Sequence, residues 1–288
     1  VTTTNGGQTD LTNSFREGWR MASFLGRANY TFHGKYLLSA AMRADGSSRF
    51  GPSKRFGYFP SISAGWHLSD ETFLAKSDLI SDLKIRASYG LTGNNEIQNG
   101  VNSLAYYAYI GSVATANYAF GNAAVNGLAP NILSNARLGW ESTSQLDLGL
   151  DLSLFNNRLS FVTDYYIKNT NRMLVSGTPL AYTTGFSGST QNIGSMQNKG
   201  WEFAVNSVNL PGAFHWTTSL NLACNKNEVV SLGQAGRQII LSSNTMIRAG
   251  LPVSSFYGYI VEGIFQSEEQ IKASPLQPFA KPGDIKFK

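Results

Sequence analysis

The sequence is poor in the residues that usually carry chemistry. It has one cysteine, Cys224, and three histidines, His33, His67 and His215. A lone cysteine excludes an intrachain disulfide, and Cys224 reads as a small packed side chain in an alternating segment. The histidines sit in separate segments without the spacing of a ligand set, so no metal site is expected. Charge is scarce too: 14% of residues are charged, against roughly 25% in an average globular chain. No dense basic run accompanies the net charge of +5, which argues against a nucleic-acid partner. No run of about eighteen apolar residues occurs, which excludes a membrane-spanning helix.

Catalytic signatures are missing as well. No GxSxG, Walker or GxGxxG pattern occurs. Asp45-Gly46-Ser47-Ser48 opens like a calcium loop but lacks the later ligands and the terminal glutamate. Asp147 and Asp151 face the same way, yet four residues along a strand span about 13 Å. That exceeds the roughly 5–9.5 Å of a glycosidase carboxylate pair. Neither an enzyme nor a cofactor is expected.

What the sequence does have is aromatics, at 12% with 13 Tyr and 17 Phe, and alternation. A strand points successive side chains to opposite faces. In residues 45–68 a polar crossing with Arg49, Lys54 and Arg55 leads into a strand. There Ile62, Ala64, Trp66 and Leu68 alternate with Ser61, Ser63, Gly65 and His67. The same pattern recurs with Ala28, Tyr30 and Phe32; with Tyr36, Leu38, Ala40 and Met42; and with Leu83, Ile85, Ala87, Tyr89 and Leu91. It is clearest at Leu146, Leu148, Leu150, Leu152 and Leu154, opposed by Gln145, Asp147, Gly149, Asp151 and Ser153. Leu159, Phe161, Thr163, Tyr165 and Ile167 follow, then Trp201, Phe203 and Val205, and then Trp216, Thr218, Leu220 and Leu222.

The connections sort by length. His33-Gly34-Lys35, Asn156-Asn157-Arg158 and Pro211-Gly212 read as short turns. Residues 1–14, 93–140 and 169–198 read as long loops, as does the tail from Asn225, with 255–265 a possible hairpin. Residues 69–80 read as a short helical or irregular link that Asp70 caps. Short turns at one end and long loops at the other describe a transmembrane β-barrel, with Tyr30, Phe32 and Tyr36 beside the first turn as an interfacial girdle. Tyr106, Tyr107, Tyr109, Tyr118 and Phe120 are the candidate substrate-binding residues, suited to stacking on sugars or lining a peptide path. Arg49, Lys54 and Arg55 are either a solvated loop or a contact for an acidic solute or lipopolysaccharide. A soluble carbohydrate-binding β-sandwich, with the tyrosine-rich loop as its site, shares the alternation but has no reason to sort its loops. A purely structural barrel or adhesin is the third reading.

Several stretches resemble one family. Residues 43–51 (RADGSSRFG) and 59–66 (FPSISAGW) resemble signature runs of the SusC/RagA family of TonB-linked outer-membrane receptors of Bacteroidota. So do ASYGLTGN (87–94), WESTSQLDLGLD (140–151), NIGSMQNKGWEF (192–203), FYGYIVEGIFQ (256–266) and PGDIKF (282–287). The resemblance implies an all-β fold, an antiparallel barrel of 22 strands around a plug, of which residues 1–288 would hold about eight to ten. It implies nutrient uptake: import of oligosaccharides or peptides through the cell outer membrane, with a SusD-like surface lipoprotein as lid and TonB reached through a segment outside this sequence. Both ends read as cut from a longer chain.

Overall fold

The computed structural model describes residues 2–5, 8–11, 18–97, 106–121, 123–178, 182–186, 189–233, 238–242 and 244–288. Readings that fall on residues 1, 6–7, 12–14, 98–105, 122, 179–181, 187–188, 234–237 and 243 lie outside them. The chain divides into two compact units, Val1–Lys226 and Asn227–Lys288.

The first unit opens with β1 (Thr2–Asn5) and β2 (Gln8–Leu11), which pair antiparallel where a loop was expected. Its main body is built from β3 (Met21–Phe32), β4 (Tyr36–Ser47), β5 (Phe56–His67), β6 (Ile80–Asn94), β9 (Glu141–Leu154), β10 (Leu159–Thr178), β11 (Ser189–Pro211) and the part of β12 (His215–Leu232) up to Lys226. These form one eight-stranded sheet in which each strand lies beside its sequence neighbours. The one interruption is a hairpin, β7 (Ser112–Phe120) with β8 (Ala123–Ile132), inserted between β6 and β9. A sandwich needs two facing sheets sharing a core; this is a single meander.

Register aligns the alternation across the sheet. Tyr36 lies opposite Trp66, and Trp66 opposite Ile85. Ile85 lies opposite Leu150, Leu150 opposite Thr163, and Thr163 opposite Phe203. One ladder lower, Ala87, Leu148, Tyr165 and Trp201 line up in the same way. Directly opposed residues share a face, so one side of the sheet is a continuous apolar surface. Much of it is exposed: Phe24, Tyr30, Leu38, Ile62, Trp66, Ile85, Tyr89, Leu148, Trp201 and Phe203 stand open, while Leu150, Phe161 and Tyr165 are half-buried. Cys224, expected to be packed, is exposed as well.

The turns show why the hairpins close where they do. The first turn places His33 and Gly34 at φ 50° and 72°, with Lys35 N donating to Phe32 O at 3.1 Å. Left-handed values at both central positions match the twist of the flanking strands. Phe155, Asn156 and Asn157 are likewise left-handed. These turns, the one after Pro211 and the link at 68–79 lie at one end of the sheet, here the near end. The link at 48–55 and the ends of β6 and β10 lie at the far end.

Three expected loops are thus partly strand. Residues 93–140 hold the end of β6 and the β7–β8 hairpin, and residues 169–198 belong largely to β10 and β11. Backbone pairing extends through stretches that lack a clean alternation, such as polar 169–172 and the consecutive apolar Met173, Leu174 and Val175 of β10. The length sorting survives with one exception, since the near-end link 68–79 is longer than the far-end link 48–55. Asp70 does not cap that near-end link: it is the last residue of a short 3-10 turn, Leu68–Asp70, preceded by His67.

The second unit is not simply loop either. There β13 (Gln238–Ser242), β14 (Thr245–Arg248) and β15 (Ser255–Phe256) form a three-stranded sheet. β16 (Val261–Ile264) pairs with β17 (Ile285–Phe287). A single-turn helix, α1 (Glu268–Lys272), is capped by Ser267, whose hydroxyl accepts from Gln270 N at 3.3 Å. No helix of the described residues is long and apolar enough to cross a membrane, which says nothing of crossing by strands.

Candidate functional site

The face opposite the apolar one carries the charge. Arg86 on β6 donates from Nε and Nη2 to Asp151 on β9 at 2.9 and 2.8 Å, and from Nη2 to Asp164 on β10 at 2.9 Å. Gly149 lies opposite both Arg86 and Asp164 in the ladders. A β-carbon there would collide with the Asp164 carboxylate and would lie 2.7 Å from the Arg86 guanidinium carbon. The missing side chain is the space the guanidinium occupies. Asp147 is tied separately, by Gln145 Nε2 at 3.0 Å. Both aspartates of the Asp147/Asp151 pair are therefore ligands of neighbouring side chains. No group of His, Cys, Asp and Glu among the described residues could hold a metal ion.

At the far end this face closes over a small core. Phe50, Phe59, Ile97, Leu138 and Trp140 are buried together, with Tyr109 and Leu174 packed on them. Trp140 contacts Phe50 and Phe59 with ring centroids 5.4 Å away in each case, and its Nε1 donates to Arg55 O at 3.0 Å. Glycines make room for Phe59. A β-carbon at Gly57 would lie 2.5 Å from its Cζ, and one at Gly93 would collide with the ring. The ladder between β5 and β6 stops at Ser61–Gly90 although both strands continue. The Phe59 ring fills against β6 beyond that point.

Arg49 is the residue that sequence reasoning misjudged. It is neither solvated nor free for a solute: it is 2% exposed. Its guanidinium stands over the ring of Trp19 at 4.3 Å and that of Tyr106 at 5.3 Å, and donates to Asn95 O at 3.2 Å. Asn95 Nδ2 in turn donates to buried Ser47 Oγ at 3.0 Å. Lys54 and Arg55 are exposed, as expected. Stacking on aromatic faces is what the flat, weakly hydrated guanidinium does well. Little in the sequence marks this enclosure: Arg49 adjoins Phe50, but Ser47 and Asn95 have only small or polar neighbours.

The five aromatic candidates fall into two groups. Tyr106 covers Arg49, Tyr107 Oη donates to Gly18 O at 3.2 Å, and Tyr109 packs on the far-end core. These three hold the base of the long link to the sheet. Tyr118 and Phe120 lie on β7, edge to face with centroids 5.3 Å away, at 66% and 69% exposure. Tyr107 is half exposed as well, but its hydroxyl is bonded to Gly18, whereas Tyr118 and Phe120 touch only each other among the described ring contacts.

A family model described as TonB dependent receptor-like, beta-barrel, matches residues 2–251. TonB-dependent receptor P26 of Formosa agariphila is 37% identical over 284 residues, which are 96% of this chain and 28% of that protein. TonB-dependent receptor SusC of Bacteroides thetaiotaomicron is 35% identical over 254 residues, 83% of this chain and 25% of that protein. The solved structure of the RagAB peptide importer in the 'open-open' state superposes with a TM-score of 0.76 at 32% identity, over 86% of this chain and 26% of that chain. The chain therefore spans little more than a quarter of the relatives it matches.

Proposed function

The chain belongs to the TonB-dependent receptor β-barrel family of the outer membrane, and on that premise we propose that it forms part of the wall of a SusC/RagA-type importer. The family is one of transporters, not enzymes. The observation that carries the reading is the division of one meander into an apolar face and a face knitted by Arg86, Asp151 and Asp164. In a barrel wall the apolar face meets lipid and the polar face meets a wet or protein-filled interior. Short near-end turns then lie in the periplasm, and the far-end links reach outside the cell.

The imported solute is an oligosaccharide or a peptide. It passes a surface lipoprotein of the SusD type, and the energy comes from TonB acting on a segment outside these residues. The similarity to a peptide importer supports the peptide arm. Tyr118 and Phe120 are the residues of this chain that meet the solute or the lipoprotein, because they alone of the five candidates are exposed and uncommitted to the wall. The rigid base around Arg49 and Trp140 sets where their hairpin emerges.

Deleting the full-length gene and following uptake of labelled peptide and oligosaccharide pools by whole cells tests this. Loss of one pool, restored by the intact gene, is the expected result and names the solute class. Undiminished uptake of both pools, with no change in growth on either, would sink the import reading.

A further inference from the structure

The near-end link 68–79 crosses the rim of the wall. His67 Nδ1 and Ser69 Oγ both approach Asp82 Oδ1, at 3.6 and 3.1 Å. His67 and Asp82 belong to the polar face by alternation. Two residues on, Glu71 is on the other side. Its carboxylate accepts from Tyr36 Oη at 2.8 Å, from Trp66 Nε1 at 3.1 Å and from Lys35 Nζ at 3.2 Å. Tyr36 and Trp66 are apolar-face residues stacked with ring centroids 6.0 Å away, and Phe32 and Tyr30 continue the same aromatic row. One carboxylate thus ties the link to the polar tips of two membrane-facing rings.

The link is compact where it meets those rings. Leu74 N and Ala75 N both donate to Glu71 O, at 2.9 and 2.8 Å. That turn sets Phe73 at 69% exposure, with no aromatic partner among the described contacts. Tyrosine and tryptophan with wet tips mark the membrane–water boundary, so a turn bound to those tips sits at that depth.

We infer that residues 71–76 form a collar in the headgroup layer of the periplasmic leaflet, on the lipid side of the wall, with Phe73 entering the acyl boundary of the phospholipid. The partner surface is phospholipid, continuous with the one the apolar face already meets. Glu71 is the positioning residue, and Lys35 neutralises it while reaching toward the phosphates. The inference rests on the membrane placement of the wall and is independent of what is imported.

Spin labelling of the full-length receptor in liposomes tests it. A nitroxide at Phe73→Cys is compared with one at Ala64→Cys on the lipid face and one at Asn156→Cys in a near-end turn. The background lacks other cysteines, with Cys224→Ser. Collisions with oxygen and with a water-soluble nickel chelate are measured. The expected result is an oxygen preference at 73 that resembles position 64, with a shift toward position 156 when Glu71→Ala is added. Chelate access at 73 equal to that at 156 in the unmodified link overturns the collar. Oxygen preference that survives Glu71→Ala overturns the role of Glu71. If Glu71→Ala prevents assembly, Glu71→Gln, which loses the ion pair with Lys35, replaces it under the same two outcomes.

Discussion

Gly149 shows how one absent side chain organises the polar face. Arg86 reaches two carboxylates on two strands because nothing stands between them at this position. Gly149→Val is expected to push the guanidinium off Asp164 and to lower stability by about 1–2 kcal/mol, the range for a partly solvated charged hydrogen bond. The check is the temperature at which the full-length barrel loses its heat-resistant migration in detergent gels. Gly212→Ala, where nothing lies within 4 Å, should leave that temperature unchanged. Glu71 makes a second residue-scale prediction. Its carboxyl is held below its usual range, first by the Tyr36 hydroxyl, then by Trp66 and Lys35. A carboxyl whose pKa is depressed on folding contributes above its unfolded value and loses that contribution as pH falls through the folded one. The tie should therefore be complete at neutral pH and weaken only below about 4.3, the ordinary glutamate value. Oxygen accessibility of the label at Phe73 should follow that curve, and with Glu71→Gln it should be flat across the same range.

At the scale of the element, the β7–β8 hairpin differs from every wall strand. It pairs with itself, and its residues Tyr118, Phe120, Val125 and Leu128 are open. A two-stranded hairpin alone is marginal in water, so it adds little support to the wall, and the proposed role of its aromatics can be tested apart from stability. Replacing Tyr118 and Phe120 together by Ala should leave the barrel's thermal transition in place and weaken uptake of the labelled solute several-fold. A large fall in the transition instead would assign the pair to structure. The base behaves oppositely. Tyr109, Trp140 and Phe59 interlock with Gly57 and Gly93, and close-packed cores do not absorb such changes.

For the whole molecule, the decisive quantity is the exposed apolar face. Residues such as Leu148, Ile85 and Phe203 would be a liability in water and are the correct solvent match in a bilayer. Leu148→Arg should destabilise the full-length barrel by about 2–4 kcal/mol if it sits at mid-bilayer, and by less toward either interface. Urea titration of the receptor refolded into liposomes reads that difference. An exchange at the polar-face neighbour Gln145→Arg should cost far less.

Strand content, the two faces and the sorting of turns were legible in the sequence because each depends on residues one or two positions away. Period-two alternation needs no knowledge of partners, and the HGK and NNR turns announce themselves by conformational preference. Strand tracts without regular alternation, as in the far ends of β10 (NTNRMLVSGT) and β11 (STQNIGSMQN), were not legible, because period two without contrast between faces carries no signal. The candidate site was legible only as a list of aromatics. Which of them are buried, and that Arg49 is enclosed between Trp19 and Tyr106, depends on segments brought together from far along the chain. The Arg86 bonds to Asp151 and Asp164 span 65 and 78 positions, and only register decides them. The sequence by itself determined a membrane wall with one face for lipid. The tertiary structure alone decided which charges neutralise each other, which of the five aromatics stand exposed, and that Glu71 bonds the apolar-face rings Tyr36 and Trp66, because those are facts of distance between strands and not of order along one.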